Sequence, residues 1–199
     1  MSDHYYSARP ASGHDRQQIR ETLRGRTFTF WTDAGVFAKK GVDFGSKLLI
    51  DTMEIPQDAK VLDVGCGYGP IGLTAAHLAE AGSVTMVDIN ERAVELAREN
   101  ARRNEISNVR VLQSNMLEAV KEERFHCILT NPPIRAGKEV VHGIFEQARE
   151  CLEPGGELWV VIQKKQGAPS AFAKLESLFA SVQEANKAKG FRIFRCRRP

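Results

Sequence analysis

The stretch that decides the fold is Lys60-Val-Leu-Asp63-Val-Gly65-Cys-Gly67-Tyr-Gly69-Pro70-Ile-Gly72. Apolar residues around one acid predict a short buried strand, and the apolar spacing from Ile71 onward predicts a helix. The glycines between them permit a positive φ and leave no Cβ between the main chain and a ligand. Three glycines at alternate positions are more than a plain turn needs. The stretch therefore predicts a ligand-binding loop at the N-terminus of a helix.

Strands and helices alternate along the rest of the chain. Apolar strands separated by helices predict an α/β fold, with a mostly parallel seven-stranded sheet that is covered on both faces. The last two strands are joined by Ala188-Lys-Gly190, which is too short for a helical crossover, so they form a hairpin. Besides the opening stretch, the predicted elements are strands at 83–88, 109–113, 125–130, 158–163, 182–187 and 191–197, helices at 47–53, 91–104, 138–152 and 170–179, an N-cap at Ser46 and a turn at 153–156.

The first 45 residues are predicted to precede this sheet as a separate unit. Thr27–Thr32 is rich in aromatic and β-branched residues and predicts a strand. Residues 16–23 fit either a strand or a helix, and Arg24-Gly25-Arg26 favours a hairpin. The expected order is a loose polar arm at 1–15, the hairpin at 16–32 and a glycine-punctuated loop at 33–45, followed by the main domain at 46–199.

Composition excludes several classes of protein. With 199 residues, 42% of them hydrophobic and 27% charged, the chain fits one globular domain. The net charge of +3 leaves an anionic partner open. The four cysteines show no CxxC spacing, so we expect neither disulfides nor a metal site. No apolar run approaches the ~20 residues of a membrane span and no signal peptide is evident, so we expect a cytoplasmic protein with no membrane partner, either monomeric or homodimeric.

The loop differs from two common phosphate-binding loops. In the dinucleotide fingerprint GxGxxG, the position of the third glycine is occupied here by Pro70. The loop also lacks the lysine and hydroxyl residue of a P-loop. Asp63, two residues before the first glycine, is unfavourable for a pyrophosphate but suits a cationic ligand group.

The segment Asp63–Gly69 resembles motif I of the class I methyltransferases, which use S-adenosyl-L-methionine (AdoMet) and have a Rossmann-like fold. In that family an acid at the end of the second strand binds the ribose hydroxyls, and Asp88 stands there. A carboxylate suits this role because it accepts two O–H bonds. Asn115 matches the position that contacts the adenine amino group, usually an acid. The resemblance implies cofactor contacts from Phe37, Asp43, Asp63, Gly65, Cys66, Gly67, Tyr68, Gly69, Asp88, Ile89, Asn115, Met116 and Asn131.

A second motif, Asn131-Pro132-Pro133-Ile134, follows the predicted strand at 125–130. The Asn131 amide and the Pro132 carbonyl offer two acceptors that can hold both hydrogens of an NH2 group. A plain strand-to-helix turn is the alternative. The tetrapeptide resembles the Asn-Pro-Pro-(Tyr/Phe) motif of methyltransferases that act on exocyclic or amide nitrogens, which implies a catalytic role for these four residues. Ile134 replaces the aromatic residue, and Arg135 and Lys138 beside it are candidate phosphate contacts.

The loop before the main domain resembles the ribosomal RNA small subunit methyltransferase C family, in which this segment closes over the cofactor. The matching residues are Gly35-Val-Phe37 and Lys40-Gly41-Val-Asp43-Phe-Gly45. The resemblance implies methylation of guanine N2 in rRNA, with RNA or the small ribosomal subunit as partner and a role in rRNA processing. Longer members carry an additional N-terminal domain that this chain does not match. A protein glutamine, a small-molecule amine, or a catalytically silent AdoMet-binding interaction module remain alternatives.

Arginines cluster near both ends of the chain, and surface charge explains most such clusters. The front cluster is Arg16, Arg20, Arg24 and Arg26, and the tail cluster is Arg192, Arg195, Arg197 and Arg198. If both clusters lay on the same side as Arg135 and Lys138, they would form an RNA footprint.

Overall fold

The structure, a computed structural model, describes residues 6–199. An N-terminal hairpin precedes alternating strands and helices, as the sequence predicts. The elements are β1 Gln17–Leu23, β2 Arg26–Thr32, α1 Phe44–Thr52, β3 Lys60–Val64, α2 Pro70–Leu78, β4 Ser83–Asp88, α3 Glu91–Arg103, β5 Val109–Gln113, β6 Phe125–Thr130, α4 Lys138–Cys151, β7 Leu152–Gln163, α5 Ala168–Leu178, β8 Ser181–Ala188 and β9 Phe191–Arg197.

Seven of the strands form one sheet in the order β5-β4-β3-β6-β7-β9-β8. Strands β3 to β7 pair in parallel, whereas β9 is antiparallel to both β7 and β8. The predicted sheet and its C-terminal hairpin are confirmed. The strand order reverses at β3, which lies between β4 and β6, and open α/β sheets bind ligands beyond the carboxyl ends of the strands at such a point.

Two apolar layers hold the helices against the sheet. Successive side chains of a strand point to opposite faces, and Val61 and Leu62 of β3 accordingly belong to different buried clusters. The first cluster contains residues of α1, α2 and α3, and the second contains residues of α4 and α5. Helices therefore cover both faces, as predicted. Within residues 6–199 no helix has the length and apolar character needed to cross a bilayer.

The start of α1 differs from the prediction that Ser46 caps a helix at 47–53. The N-cap is Asp43, whose carboxylate accepts a hydrogen bond from the Ser46 amide at 3.2 Å. A carboxylate at this position satisfies an amide that lacks a helical partner. The hydroxyl of Ser46 is thereby available for a contact outside its own helix.

The predicted turn at 153–156 is part of β7 instead. Leu152 already pairs with Phe125, and an irregularity in register follows before Cys127 pairs with Glu157. The Gly155 amide donates to the Arg198 carbonyl at 3.1 Å, and the Arg198 amide donates to the Gly156 carbonyl at 2.9 Å. The tail of the chain thus supplies the partner that keeps this glycine-rich segment extended. Further along the chain, helix α5 begins at Ala168, two residues before the predicted start at residue 170.

The N-terminal hairpin is attached to α3 by two asparagines. The Asn100 side chain accepts from the Trp31 amide at 2.8 Å and donates to the Trp31 carbonyl at 3.0 Å. Asn104 makes the same pair of bonds with Thr29, at 3.1 and 2.9 Å. These amides satisfy the backbone of β2 as a neighbouring strand would, which stabilises an otherwise open edge.

The arm in front of the hairpin is held in place, contrary to the prediction of a loose arm for residues 1–15. The Ala8 carbonyl accepts from the Glu91 amide at 3.0 Å, and the Ser12 carbonyl accepts from the Arg92 guanidinium at 2.9 Å. The His14 ring lies 2.6 Å from the buried Asp33 carboxylate. These bonds tie the arm to the start of α3. Residues 1–5 lie outside the described residues, and the division at residue 45 stays a prediction.

Candidate active site

A cleft of about 870 Å³ opens at the carboxyl ends of β3, β4 and β6. It brings together most of the residues that the two motifs predict. Of these, the cleft is lined by Phe37, Asp43, Gly65, Cys66, Gly67, Tyr68, Asp88, Ile89, Met116, Asn131, Pro132 and Pro133.

The glycine loop forms the floor of the cleft. Gly65 and Gly67 have φ of +75° and +57°, and a Cβ on either would meet no atom within 4 Å. Side chains there would strain the backbone and project into open space that a ligand can use. The amides of Gly65 and Cys66 both donate to the Val87 carbonyl, so the loop is bound to β4. Gly69 is the N-cap of α2 and does not line the cleft.

Asp88, at the end of β4, is half-buried in the cleft wall. One carboxylate oxygen accepts from the Gly67 amide at 2.8 Å and the other from the Asn90 amide at 2.9 Å. Burial raises the pKa of Asp88 to about 6, although these amides oppose the shift. Each oxygen can accept a further bond. The carboxylate is therefore fixed, ionised at pH 7 and able to bind two hydroxyls.

Asp63 lies beneath the loop rather than on the cleft wall. Its side chain is fully buried, and neither carboxylate oxygen has a side-chain hydrogen-bond partner. The carboxylate packs closely against Gly72: a Cβ added to that glycine would lie 2.8 Å from one of its oxygens. Burial raises the pKa of Asp63 to about 8. With this pKa the carboxyl is protonated at pH 7, and the predicted contact of Asp63 with a cofactor stays a prediction.

Asn131 and the two prolines form the opposite wall. The Asn131 amide nitrogen donates to the Ser46 hydroxyl at 3.0 Å and lies 3.4 Å from the Asp43 carboxylate. Within residues 6–199, no donor bonds the Asn131 side-chain oxygen or the Pro132 carbonyl. Two acceptors are therefore available at this wall, and Ser46 and Asp43 determine which end of the Asn131 amide is free.

Besides Asp63 and Gly69, four other predicted site residues do not line this cleft. Asn115 is exposed, while its neighbours Ser114 and Met116 line the cleft. Ile134 and Lys138 line a separate groove beside Pro133, and Arg135 is exposed next to it. The adenine contact from Asn115 and the phosphate contacts from Arg135 and Lys138 stay predictions.

Two further residues of the site were missed in the sequence. Tyr6, from the arm, lines the cleft near Asp88, and burial followed by the Asp88 charge raises its pKa. No motif marks Tyr6, because its approach depends on how the arm is bound to α3. Ser46 also lines the cleft. Its position beside Asp43 points equally to a helix cap, so only the contact with Asn131 identifies it.

The arginine clusters do not surround this cleft. Arg24 donates to the carbonyls of Ile50 and Met53 at the end of α1. Arg195 pairs with Glu157 and Glu54, at 2.9 and 3.1 Å. Because Gln163 pairs with Phe191 and Glu157 with Arg197, the tail of β9 lies at the amino end of β7. Arg195 and Arg197 of the tail cluster therefore lie away from Asn131, whereas Arg192 pairs with Ile162 near the carboxyl end of β7 and its guanidinium donates to Glu184. The tail cluster as a whole does not meet the condition for a shared footprint.

Comparison with known proteins identifies the family. The family model described as "Methyltransferase small domain" matches residues 27–195. The chain belongs to this family. It is similar to the solved structure of the T. thermophilus 16S rRNA N2 G1207 methyltransferase (RsmC) in complex with AdoMet and guanosine, with a TM-score of 0.83 and 25% identity over 96% of this chain and 52% of that one.

Two curated relatives extend this result. An uncharacterized protein of Bacillus subtilis, YbxB, is 54% identical over the full length of both chains. Ribosomal RNA large subunit methyltransferase G of Alcanivorax borkumensis is 34% identical over 83% of this chain, which spans 43% of that relative. The chain is an AdoMet-dependent methyltransferase, and it corresponds to about half of the rRNA methyltransferases that it matches.

The cleft fits AdoMet on its own geometry. The open space above Gly65 and Gly67 can accept a ligand against bare backbone, and Asp88 presents spare acceptor positions for a ribose diol. The roles of Asp88 and the glycine loop toward the cofactor, and of Asn131 and Pro132 toward the acceptor, stay predictions that this geometry permits.

Proposed function

We propose that this enzyme transfers a methyl group to an exocyclic NH2 of rRNA, most specifically to guanine N2 of the small subunit. The observation that carries this proposal is the orientation of Asn131. Its amide nitrogen is held by Ser46 and Asp43, which leaves its side-chain oxygen unbonded, and both Asn131 and Pro132 line the cleft. Two adjacent acceptors match the two hydrogens of a planar NH2 group.

AdoMet supplies a methyl group that is already activated by the sulfonium charge. The residues of this chain therefore mainly align the acceptor nitrogen with that methyl group. Asn131 and Pro132 turn the nitrogen lone pair toward the cofactor by holding both N–H bonds. As the nitrogen gains positive charge, both oxygens bind its hydrogens more strongly, which lowers the barrier. The proton then leaves to water, so no general base is assigned.

The relatives support an RNA base as acceptor. The T. thermophilus relative is an rRNA N2 guanine methyltransferase with guanosine present, and the A. borkumensis relative is an rRNA methyltransferase. A base within RNA must be unpaired or flipped out to reach a cleft of this kind. Phe37, which lines the cleft with 42% of its surface exposed, offers an aromatic face at the mouth. Ile134 is half-buried against the core and adds an apolar edge.

A comparison of rRNA from a deletion strain and its parent tests the proposal. Nucleoside mass spectrometry should show that one methylated guanine of the small subunit disappears on deletion. The wild-type gene should restore it, and an Asn131→Ala variant should not. If no rRNA nucleotide loses a methyl group, RNA is the wrong substrate. Radiolabelled AdoMet added to lysate of the deletion strain would then show transfer to a protein or small-molecule amine.

A catalytically silent role is separated by the same variants. If Asn131→Ala preserves every phenotype of the wild-type gene while Gly67→Val in the cofactor loop abolishes it, the protein acts by binding AdoMet rather than by transferring its methyl group. The free acceptors at Asn131 and Pro132 favour catalysis.

A further inference from the structure

A second groove, of about 410 Å³, lies directly beside the acceptor wall. One of its lining residues is Ile134. The residue before it, Pro133, lines the main cleft. The far end of the groove is Gln166, in the connection between β7 and α5. Lys138 and His142 of α4 form its side. The groove is therefore separate from the main cleft, and the neighbouring residues Pro133 and Ile134 connect the linings of the two.

Three lysines either line this groove or are adjacent in sequence to a residue that lines it. Lys138 lines it at the start of α4, and Lys164 and Lys165 immediately precede Gln166 at its far end. All three are exposed, and within residues 6–199 none of them forms an ion pair. Many other cations of the chain are paired, as Arg195 is with Glu157. We call these three residues the lysine rim.

The backbone fixes the position of the rim. The Lys164 amide donates to the Gly190 carbonyl at 2.7 Å, which holds the end of β7 against the turn between β8 and β9. Because β6 and β7 pair in parallel, the end of β7 and the Asn131 loop lie at the same edge of the sheet. Glu139, the carboxylate next to Lys138, does not line the groove. Among the residues that line the groove, Lys138 therefore has no acidic neighbour.

The interior of the groove is suited to a base rather than to a second phosphate. Ile134 and Val141 provide apolar contact, and the Ser170 hydroxyl lies 3.4 Å from the His142 ring nitrogen. Burial, then the charges of Lys138 and Lys174, lower the pKa of His142. The ring is thus neutral at pH 7, so the fixed charge stays on the rim.

We propose that the lysine rim binds the phosphates of the RNA segment flanking the acceptor nucleotide, and that the groove receives the adjacent base. This inference rests on the proposed function, since it assumes that the acceptor is part of an RNA strand. A flipped base in the main cleft forces its neighbours to leave along the carboxyl edge, where the rim lies. Phosphate contacts of this kind position a strand without reading its sequence.

A matched pair of triple variants tests the rim. One carries Lys138→Ala, Lys164→Ala and Lys165→Ala. The control carries Arg102→Ala, Lys121→Ala and Arg197→Ala, which removes the same charge from exposed cations that form no ion pair within residues 6–199. Arg102 lies in the last turn of α3, and Arg197 at the far end of β9. Binding of a fluorescent 20-nucleotide single-stranded RNA is measured between 50 and 200 mM salt, with AdoMet affinity by calorimetry.

The rim variant should bind this RNA about 10- to 100-fold more weakly than the wild type. The slope of log K against log salt should also be shallower by about 2, because each of the three lost phosphate contacts on a single strand contributes about 0.7 to the slope. Methyl transfer to rRNA from the deletion strain should fall through KM, with AdoMet affinity unchanged. If the wild-type enzyme methylates this rRNA and the two variants behave alike, the rim is overturned and the function stands. If the wild-type enzyme transfers no methyl group to RNA, the function itself is wrong and the rim falls with it.

Discussion

The amide nitrogen of Asn131 donates to the hydroxyl of Ser46 over 3.0 Å, across 85 positions of sequence. The bond joins the loop after β6 to the first turn of α1, and Ser46 itself is only 4% exposed. Because Asp43 accepts from the Ser46 amide and also lies near Asn131, helix capping and acceptor geometry depend on the same two residues.

We predict that Ser46→Ala lowers kcat about 10-fold with little change in AdoMet affinity, because the Asn131 amide loses an acceptor that orients it. Asn131→Ala should cost about 100-fold or more, as the loss of a transition-state acceptor does. Steady-state kinetics and melting temperature are measured together. Ser177→Ala, which removes an exposed hydroxyl on α5, is the control. Wild-type kcat in Ser46→Ala would show that Ser46 does not position the amide.

AdoMet affinity should decrease as the pH falls below about 6. The folded-state pKa of Asp88 is raised to about 6, so the group is ionised at pH 7 to 8 and protonated at pH 5. Protonation removes an acceptor for the ribose diol, and affinity should fall about 10-fold between pH 7 and 5. Calorimetry at four pH values measures this. Asp88→Asn should bind weakly with a flat profile, and a wild-type profile that is equally flat would exclude this role.

Replacement of Tyr6 by alanine should weaken AdoMet binding about 3- to 10-fold, because the ring lines the cleft near Asp88 and offers apolar contact to a bound cofactor. Tyr6→Phe should bind nearly as the wild type does, since the apolar ring remains. Arg9→Ala, on the same arm and exposed, controls for changes in the arm itself. Equal affinities for Tyr6→Ala and the wild type would show that the arm does not cover the cofactor.

The Asp63→Asn variant should be more stable than the wild type at pH 8 in the absence of cofactor. Burial raises the folded-state pKa of Asp63 to about 8, against about 3.9 in the unfolded chain. Between these values the folded state binds more protons, so wild-type stability falls as pH rises from about 4 to 8.

Denaturant titrations at pH 5 and 8 measure this effect. We expect a gain of about 1–3 kcal/mol for Asp63→Asn at pH 8 and a much smaller difference at pH 5. Asp58→Asn, at an exposed position, should show no such difference. Destabilisation of Asp63→Asn at both pH values would mean that the carboxyl is ionised and stabilised in the folded protein.

Substitution of Asn100 by alanine should lower the free energy of unfolding by about 2–4 kcal/mol. The variant leaves the Trp31 amide and carbonyl without their partner, and also the Tyr68 carbonyl in the glycine loop, which Asn100 bonds at 2.8 Å. Denaturant unfolding measures the loss, with Arg102→Ala on the same helix as control. A change below 0.5 kcal/mol would show that the hairpin is held by apolar contacts alone.

The order of strands and helices was largely predictable because its signals are local. Apolar periodicity located β3 to β6 and α3, and the short link at Lys189-Gly190 determined that β8 and β9 form a hairpin. The errors occurred where a distant residue supplied a partner. Residues 153–156 are extended because Arg198 pairs with them, and the arm is ordered because Arg92 and Glu91 bind it.

The sequence by itself determined the fold class and, through the resemblance of its glycine loop and Asp88 to a known family, the class of cofactor, whereas the acceptor role of Asn131-Pro132-Pro133 stays a prediction. Only the tertiary structure decided how these residues are held: that Ser46 bonds the Asn131 amide, that Tyr6 lines the cleft, that Asp63 is fully buried, and that Arg195 and Arg197 lie toward the amino end of β7. Such contacts depend on how helices pack on the sheet. Local patterns encode which face of an element is apolar, but not which distant side chain it will meet.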